Sequence, residues 1–542
     1  MSDPQITLQR AVAFGDSVVW GQGLQHADKF TTLIARRTGG IDMPRNAMLA
    51  HSGAVLEQEN NSGAPDVDPA EDAPVYGEIP RGRPSIFRQV ATFGLPLPLN
   101  RVADERLPDV TFPETEIVFV NGGLNDIDAG ELVSGDLGGL AQIEQRIRRL
   151  YRDRFLDLLR LVRQRFPAAR IFVFGYHFIF SQDSLSRLID TAEVVIGEDS
   201  QLARTARRGI RQCSWFMSLS AAALQAAVDA LNADEAQSMR AIFVPSLQGP
   251  QHAGFAADTM SWGLRESGEA APGRPRQVEN LLLWNFFELS GLSSNDQVTA
   301  LREAHCDAYA VDVRGGLGKD IEADAQCQLA ALFHPDERGA RRIADIAEHA
   351  HAGVSAPPSL RDALAPGERS LLRFSSRLGF EPRFSYRSLF ATDLLAAIRL
   401  DGIIDQGTHG EFPYHLLYIE LDVAERPEPV RYPLNDGLPF TSGFADRDDY
   451  VFPGAYGERS GEGGFFRVRD IQEETPFNFF AFPTDVISLS DVLEIRIGAH
   501  GENLERALHL KELGLEINGR RIPLSDKAPT FRTGGLEVIV RI

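Results

Sequence analysis

The chain has 542 residues, of which 43% are hydrophobic and 24% charged, and its formal net charge is −21 at pH 7. A chain of this length exceeds what one hydrophobic core usually holds, so we expect two domains. The negative charge argues against nucleic acid or an anionic membrane surface as the main partner, because both attract lysine and arginine. The sequence contains no apolar run of the length that a membrane-spanning helix needs.

Residues 1–10 are polar and lack the basic, apolar and small-residue order of a signal peptide. We therefore expect a cytoplasmic protein, with export by an unconventional route left open, and the oligomeric state is open as well. The three cysteines, Cys213, Cys306 and Cys327, form no C-x-x-C pair. Buried free thiols are the favoured interpretation, and a Cys306–Cys327 bridge is the alternative for an exported protein.

The first predicted strand, Ala11 to Phe14, ends at Gly15-Asp16-Ser17. A short apolar run bounded by glycine is typical of a buried strand in a parallel sheet. Ligands of open α/β sheets bind beyond the carboxyl ends of the strands, so Ser17 stands where a nucleophile would be placed. The alternative is a serine that only caps the following helix.

Residues 25–50 predict a helix and a second strand, followed by a small-residue turn at Ser52-Gly53-Ala54. Residues 57–82 are rich in polar residues, proline and glycine, and predict a long surface loop. Loops of that length in a compact domain are usually functional or disordered. Ser85 to Ala91 predicts another helix.

The clearest buried strand is Glu116 to Val120, which leads directly into N-G-G-L-N-D at residues 121–126. Apolar residues at helical spacing follow over 140–166, and a further strand covers 171–175. This order of strand, helix and strand indicates βαβ units with right-handed crossovers. Residues 180–240 predict a helical insertion, for which we weigh a cap over the site against a plain packed layer.

A strand is predicted over residues 241–244 and an apolar helix over 278–292. His334-Pro335 then precedes a closing helix over residues 340–350. We interpret residues 1–353 as one α/β domain with a flavodoxin-like, doubly wound parallel sheet.

The character of the sequence changes after that domain. Residues 354–370 are punctuated by proline and predict a linker. Residues 371–542 contain short alternating segments separated by glycine, proline and aspartate, a pattern that indicates an all-β sandwich domain.

Four turns carry residues suited to acyl transfer. A serine hydroxyl is a weak nucleophile until a base removes its proton, and His334 is the candidate base for Ser17. The tetrahedral intermediate needs fixed hydrogen-bond donors. The backbone N–H groups of Ser17 and Gly53 and the side-chain amide of Asn125 can supply them. The turns follow strands or can do so, and such turns meet at one edge of a doubly wound sheet.

This set of residues resembles the SGNH/GDSL hydrolase family over about residues 8–352. The matching residues are the Ser of G-D-S (Ser17), Gly53, the Asn of G-x-N-D (Asn125) and His334. The resemblance implies ester hydrolysis through a covalent acyl-enzyme, without a metal or an organic cofactor. Ser17 would be the nucleophile, His334 the base and then the acid, and Ser17, Gly53 and Asn125 the oxyanion hole.

The sequence departs from the family at one position. The family's acid lies three residues before the histidine, and Ala331 occupies that place. The imidazole needs another acceptor for its Nδ1 proton, and the backbone carbonyl of Ala331 or its neighbour is our first choice. Asp312 and Asp320 are the alternatives. Asp16 and Asp126 are expected to order their turns rather than to act as acids.

The second domain resembles PLAT-type β-sandwiches at Ala396 to Thr408 and at Gly443 to Tyr450. Such modules imply peripheral contact with lipid or protein, and sometimes Ca²⁺. Asp446, Asp448 and Asp449 would be the residues to gather a cation, although solvated loop acids are the favoured interpretation.

These observations predict a serine esterase or lipase that acts on lipid-like or simple acyl esters. The helical insertion and the 33 phenylalanines can build an apolar pocket for an acyl chain. A glycan O-deacetylase of the same fold is one alternative. A non-catalytic binding or scaffold protein is another, motivated by the missing acid.

Overall fold

The computed structural model describes residues 9–56, 77–80, 84–94, 110–181, 184, 201–234, 241–256, 258–263, 295–313, 327–328, 330–355, 394–404, 417–433, 475–499, 507–522, 530–532 and 538–541. The chain divides into two compact units, which we describe separately. The first comprises Met1–Leu132, Arg146–Ala192 and Ala226–His351. The second comprises Val133–Gln145, Glu193–Gln225 and Ala352–Ile542.

The first unit is built on a four-stranded parallel sheet. Its strands, in spatial order, are β1 (Ala11–Phe14), β2 (Ile117–Val120), β3 (Arg170–Phe174) and β4 (Ala241–Val244). Every residue of these four strands is buried, except the first residue of β3. This explains why the strands are continuous apolar runs, since a parallel sheet is covered on both faces. The four strands predicted in these places are confirmed.

The second strand predicted within residues 25–50 is wrong. The only pairing described there is a single parallel bridge between Met48 and Ala13, with the N–H of Leu49 donating to the Ala13 carbonyl at 2.8 Å. This segment lies on the edge of β1 that β2 does not occupy. The chain therefore changes direction across the sheet at β1, and ligand sites of α/β sheets occur at such a reversal.

The described helices alternate with the strands, as the βαβ interpretation requires. They are α1 (Ser17–Trp20), α2 (Phe30–Gly39), α3 (Ile86–Thr92), α4 (Leu124–Ile127), α5 (Ala129–Ser134), α6 (Leu140–Ile147), α7 (Phe155–Arg165), α8 (Gln201–Asp234), α9 (Asp296–Val313) and α10 (Glu337–Ser355). A π-helical stretch, Arg148–Arg154, joins α6 to α7. Among the helices described, none has the length and apolar character needed to cross a bilayer.

Aromatic rings fill the core of the first unit. Phe14 packs edge-on against Phe93 at 5.7 Å between ring centroids, and Phe112 stacks on Phe166 at 5.4 Å. Full burial of one such side chain contributes about 1.5–3 kcal/mol. Phe14 is the last residue of β1, so this packing fixes the strand end from which the Ser17 turn departs.

Two further expectations need correction. Residues 57–82 are not simply a surface loop, because Glu78 and Ile79 within it are 0% and 2% exposed. Cys306 and Cys327 form a disulfide instead of remaining free, and Ile79 packs against it. This is the pairing that the sequence analysis gave as the alternative to free thiols. Cys213 is free and buried.

Several predicted features lie outside the described residues. They are the apolar helix at 278–292, the linker from residue 356 to 370 (residues 354 and 355 of the predicted linker are the end of α10), Asp320, and the acidic residues Asp446, Asp448 and Asp449. The predicted helical insertion is described at residues 180, 181 and 184 and in α8, whose Ala- and Leu-rich part is largely buried.

The second unit contains two antiparallel sheets. One has the order β11 (Arg520–Ile522), β10 (Ala507–Ile517), β5 (Ile398–Ile404) and β8 (Thr475–Ala481), with β12 (Thr530–Arg532) also paired to β10. The other has the order β13 (Val538–Arg541), β9 (Val492–Ala499), β6 (Leu417–Val423) and β7 (Val430–Pro433). These strands confirm the prediction of a β domain in this part of the chain.

Candidate active site

The turn after β1 places Ser17 at the start of α1. Gly15 has a φ of 151°, and a Cβ there would lie 2.7 Å from the carbonyl oxygen of Asn121 and 2.9 Å from the side chain of Val19. Only glycine fits this close approach. Asp16 caps the helix by accepting a hydrogen bond from the N–H of Val18 at 3.0 Å. The turn therefore fixes the position of a serine that is 7% exposed.

His334 lies against that serine. Its Nε2 atom is 2.7 Å from the Oγ of Ser17, and its Nδ1 atom is 3.1 Å from the carbonyl oxygen of Leu332. A carbonyl can only accept, so the Nδ1 atom carries the proton. The lone pair of Nε2 is then free to accept the proton of the Ser17 hydroxyl.

Burial keeps this imidazole uncharged. Burial, with the nearby His177 as a further cause, lowers the pKa of His334 to about 3. The ring is therefore neutral near pH 7, as a general base must be. The acceptor of the Nδ1 proton is the carbonyl of Leu332, the neighbour of Ala331 and one of the two first choices from the sequence. The Ala331 carbonyl instead accepts the backbone N–H of His334 at 3.0 Å.

The other acceptors considered from the sequence are only partly described. Asp312 lies in α9, and its side chain is outside the described residues. The Leu332 carbonyl needs no charge to accept the Nδ1 proton, because Leu332 lies only two residues before His334. A backbone carbonyl so close in the chain fixes the ring's tautomer without a carboxylate.

The turn that carries Gly53 is bonded to its neighbours on both sides. Gly53 has a φ of 77°, which glycine adopts without steric cost. The N–H of His51 donates to the Gly15 carbonyl at 3.2 Å, which joins this turn to the nucleophile turn. The side-chain amide of Asn125 donates to the Ala54 carbonyl at 2.8 Å, which joins it to the loop after β2.

Asn125 retains donor capacity for a ligand. A side-chain amide has two hydrogens, and the Ala54 carbonyl takes one of them. Asp126, next in the chain, accepts the N–H of Leu56 at 2.7 Å and so supports the loop. The turns of the predicted residues are thus joined in series: that of His334 to that of Ser17, that of Ser17 to that of Gly53, and that of Gly53 to the loop of Asn125.

Asp16 connects the nucleophile turn to the loop after β2. The hydroxyl of Tyr176 donates to Asp16 at 2.8 Å and accepts the N–H of Leu124 at 3.1 Å. Burial raises the pKa of Asp16 to about 6, and the hydrogen bonds that Asp16 accepts from Tyr176 and from the Val18 N–H oppose this shift. Tyr151, in the π-helical stretch, lies edge-on to Tyr176 at 5.8 Å and fills the space that a side chain on Gly123 would need.

A buried charged residue from the predicted loop at residues 57–82 supports the C-terminal end of α1. The carboxylate of Glu78 accepts hydrogen bonds from the Trp20 indole at 2.8 Å, from the Gly23 N–H at 3.1 Å and from Arg302 at 3.0 Å. Arg302 and Glu78 are both 0% exposed. Their attraction therefore acts in a low-dielectric interior.

Lys29 completes the support of α1. Its Nζ atom donates to the carbonyl of Trp20 at 2.5 Å and lies 3.5 Å from the centroid of the Trp20 ring. Burial lowers the pKa of Lys29 to about 7, and the nearby Glu78 opposes that shift. The end of the short nucleophile helix is thereby held by the Lys29 amine and by the Glu78 carboxylate.

The sequence analysis missed Tyr176, His177, Glu78 and Arg302. Tyr176 and His177 follow β3 directly, so the rule that ligand sites lie at strand ends could have found them. Glu78 and Arg302 gave no such signal, because they lie in a polar loop and on one face of a helix. His51, next to the turn that carries Gly53, is buried, and its ring nitrogens contact the carbonyls of Ser52 and Pro84.

Comparison with solved structures gives distant likenesses, of which two are described. The chain is similar to a carbohydrate esterase family 2 enzyme with a carbohydrate binding domain from Corynascus thermopiles (Myceliophthora fergusii), at 17% identity and a TM-score of 0.23, over 45% of this chain and 57% of that one. It is also similar to phospholipase A1 from Streptomyces albidoflavus NA297, at 14% identity and a TM-score of 0.26, over 48% of this chain and 90% of that one.

No protein-family model matches the sequence, and no curated protein matches it either. The chain spans less than two thirds of the length of the carbohydrate esterase. TM-scores this low carry no argument about function. The proposed function therefore rests on the geometry of the site.

Proposed function

We propose that the chain is a serine ester hydrolase of the SGNH/GDSL type that works through an acyl-enzyme on Ser17. The observation that carries this proposal is the 2.7 Å separation between the Ser17 hydroxyl and a neutral His334 imidazole. A serine that only capped a helix would not need a buried base at hydrogen-bond distance. The same separation favours a catalyst over a non-catalytic scaffold.

In the first half of the reaction, the Oγ of Ser17 attacks the ester carbonyl carbon while the Nε2 of His334 takes the hydroxyl proton. The carbonyl oxygen becomes an oxyanion, for which the N–H groups of Ser17 and Gly53 and the Asn125 amide are the donors. The imidazolium then returns its proton to the leaving alcohol. Leu332 holds the Nδ1–H throughout, so the ring keeps its orientation.

In the second half, a water molecule attacks the acyl carbon and His334 accepts one of its protons. Collapse of the second tetrahedral intermediate releases the carboxylic acid, and the proton returns to Ser17. A neutral carbonyl stabilises the imidazolium less than a carboxylate would. Turnover should therefore depend strongly on the oxyanion donors and on the exact position of the ring.

The proposal is tested by labelling with a fluorophosphonate probe and mapping the modified peptide. We expect a single adduct on Ser17 in the native protein, and none in Ser17→Ala. Ser134→Ala is the matched control, because Ser134 hydrogen-bonds Asp136 at an exposed site and should not alter the labelling. Failure of the folded native protein to react, or an adduct on another serine, would refute the proposal.

The acyl group is proposed to be lipid-like or a simple aliphatic chain. A series of p-nitrophenyl esters of increasing length measures this preference. Turnover that rises beyond the acetyl ester supports a lipid-like substrate. A maximum at the acetyl ester, together with release of acetate from acetylated glycans, would instead support the deacetylase alternative.

A further inference from the structure

Four successive carbonyl oxygens in the loop of the candidate base, at residues 331–334, each accept a hydrogen bond. In chain order, the donors are the His334 backbone N–H at 3.0 Å, the His334 Nδ1 at 3.1 Å, the His177 Nε2 at 2.6 Å and the Trp262 backbone N–H at 2.8 Å. The loop is thus fixed at every peptide unit. One of these four bonds orients the base, and the other three hold the backbone around it.

Phe333 is the strained residue of this loop. Its φ is 65°, in the left-handed region, which costs a residue with a side chain about 1–2 kcal/mol. Phe333 stands between the Leu332 carbonyl and His334, so its backbone angles set how that carbonyl faces the imidazole. The strained conformation persists only if the surroundings impose it.

Three contacts impose it. His177 donates to the Phe333 carbonyl at 2.6 Å, and the Phe333 N–H donates to the Trp262 carbonyl at 3.1 Å. The Phe333 ring packs edge-on against Phe255 at 5.2 Å. Of these partners, His177 is the side chain that holds the backbone atom nearest to the base.

His177 is built to act as a donor. It follows β3 by three residues and is 4% exposed, so the sheet fixes its place. Burial lowers its pKa, opposed by the bond to Phe333, so the ring is neutral and carries one N–H. That N–H must be on Nε2, because a carbonyl accepts it. Within the part of the chain that is described, Nδ1 has no hydrogen-bond partner.

We infer that His177 is a positioning residue for the reaction, which holds the Phe333 carbonyl and thereby keeps the Leu332 carbonyl on the Nδ1–H of His334. This inference rests on the proposed function of Ser17 and His334. It explains how the site works with alanine at position 331. The orienting acceptor is a backbone atom, and a second histidine fixes that backbone.

The test compares His177→Gln with His177→Asn. The glutamine amide reaches as far as Nε2 and can keep the bond to Phe333, whereas the asparagine amide is shorter and cannot. We expect His177→Asn to lower kcat by about 10- to 100-fold with KM changed less than about twofold, and His177→Gln to stay within about threefold of the native kcat. Asparagine is also one methylene smaller than glutamine, so the protonation of the His334 ring, measured independently of turnover, distinguishes loss of the bond from loss of packing.

His26→Asn is the matched control. The Nε2 atom of His26 also contacts a backbone carbonyl, that of Met43, at 2.6 Å, but in a loop that carries none of the proposed machinery. We expect native kcat for His26→Asn. Equal kcat losses in His26→Asn and His177→Asn would overturn the inference.

A measurement that does not need turnover separates this inference from the proposed function. In protein labelled with ¹⁵N-histidine, the ring signals of His334, assigned by their loss in His334→Gln, report which nitrogen carries the proton. We expect the Nδ1–H form in the native protein and in His177→Gln, and a mixture of forms in His177→Asn. An unchanged Nδ1–H form with native kcat in His177→Asn would overturn the inference. If the native protein shows the Nδ1–H form of His334 but hydrolyses no ester, only the proposed function is overturned.

Discussion

The carbonyl oxygen of Leu332 lies 3.1 Å from the Nδ1 atom of His334 and takes the place that an acidic side chain would take in a Ser-His-Asp triad. The carbonyl fixes the tautomer, but it brings no negative charge to stabilise the imidazolium. Position 331, where a carboxylate would be expected, holds a fully buried alanine in contact with Trp262. The chain thus uses this position for packing.

Introducing the acid at that position should harm the protein. A Cβ built on Gly23 would lie only 3.2 Å from the Ala331 Cβ, so the site leaves little room for a larger side chain. A buried carboxylate without a partner costs several kcal/mol, and Nδ1 is already bonded. We expect Ala331→Asp to lower both kcat/KM and the melting temperature. The neutral Ala331→Asn separates the effect of charge from that of size, and a gain in turnover for Ala331→Asp would contradict the expectation.

The pH dependence of hydrolysis should reflect the buried base. Only neutral His334 can accept the Ser17 proton, and burial lowers the pKa of this ring from 6.5 to about 3. A lower pKa extends the neutral form to lower pH. The acid limb of kcat/KM, which reports the free enzyme, should therefore lie well below pH 6.5. The measurement uses an ester whose leaving group does not titrate in that range, and a limb near pH 6.5 would show that the imidazole is solvated.

The parts of the fold and site that the sequence predicts are those encoded by neighbours in the chain. A buried apolar run followed at once by G-D-S or by G-x-N-D marks a strand end, and Ser17 and Asn125 lie in those places. The helix predicted within residues 25–50 is α2, but the strand predicted after it was wrong, because Met48 makes only a single bridge to Ala13. A single bridge requires no repeating pattern of apolar residues. The sequence therefore does not show whether such a segment forms a strand or only one bridge.

The support of the site depends on partners far apart in the chain. His177 and Phe333 are 156 residues apart, and Glu78 and Arg302 are 224 residues apart. No motif joins such pairs, and a buried acid or base looks like a solvated one until its partner is placed. The Cys306–Cys327 bridge is of the same kind, because cysteine spacing alone does not give the pairing.

The free energy of unfolding should depend on pH through the ionisation of Asp16. Burial raises its pKa from 3.8 to about 6, so between these pH values the folded protein binds more protons at this residue than the unfolded chain. Its contribution to the free energy of unfolding therefore falls as pH rises through that window, by on the order of 2–3 kcal/mol. Urea unfolding of the native protein and of Asp16→Asn between pH 4 and about 7 isolates this contribution. If the free energy of unfolding changes with pH equally in the two proteins, the pKa of Asp16 is not raised.

Asn125 should be worth at least about a hundredfold in kcat, the usual scale for one oxyanion donor. Asn125→Ala removes the amide donor, but it also removes the bond to the Ala54 carbonyl. Asn125→Asp keeps the shape and loses the donors, so it should be at least as slow as Asn125→Ala. Circular dichroism and the melting temperature show whether the loop still folds. Native kcat in either folded variant would remove Asn125 from the oxyanion hole.

The Glu78–Arg302 pair gives the sharpest test of how the nucleophile helix is held. Both side chains are fully buried, and Glu78 also bonds Trp20 at the end of that helix. Removing one partner of a buried ion pair leaves an uncompensated charge and typically costs about 3–5 kcal/mol. Glu78→Gln and Arg302→Met should each lower the free energy of unfolding by an amount on this scale. The double variant should lose less than the two single losses together, since neither charge is then left alone.

The exposed Arg36–Asp42 pair, at 3.1 Å, is the control for this experiment. Exposed pairs contribute about 0–1 kcal/mol, because water screens the charges, so Asp42→Asn should change little. The kinetic consequence follows from position: Glu78 accepts the Gly23 N–H and the Trp20 indole, and both lie just beyond Ser17. Glu78→Gln should therefore lower kcat in protein that is still folded. A cost no larger than that of Asp42→Asn would mean that water reaches Glu78 and that the helix is held by its packing alone.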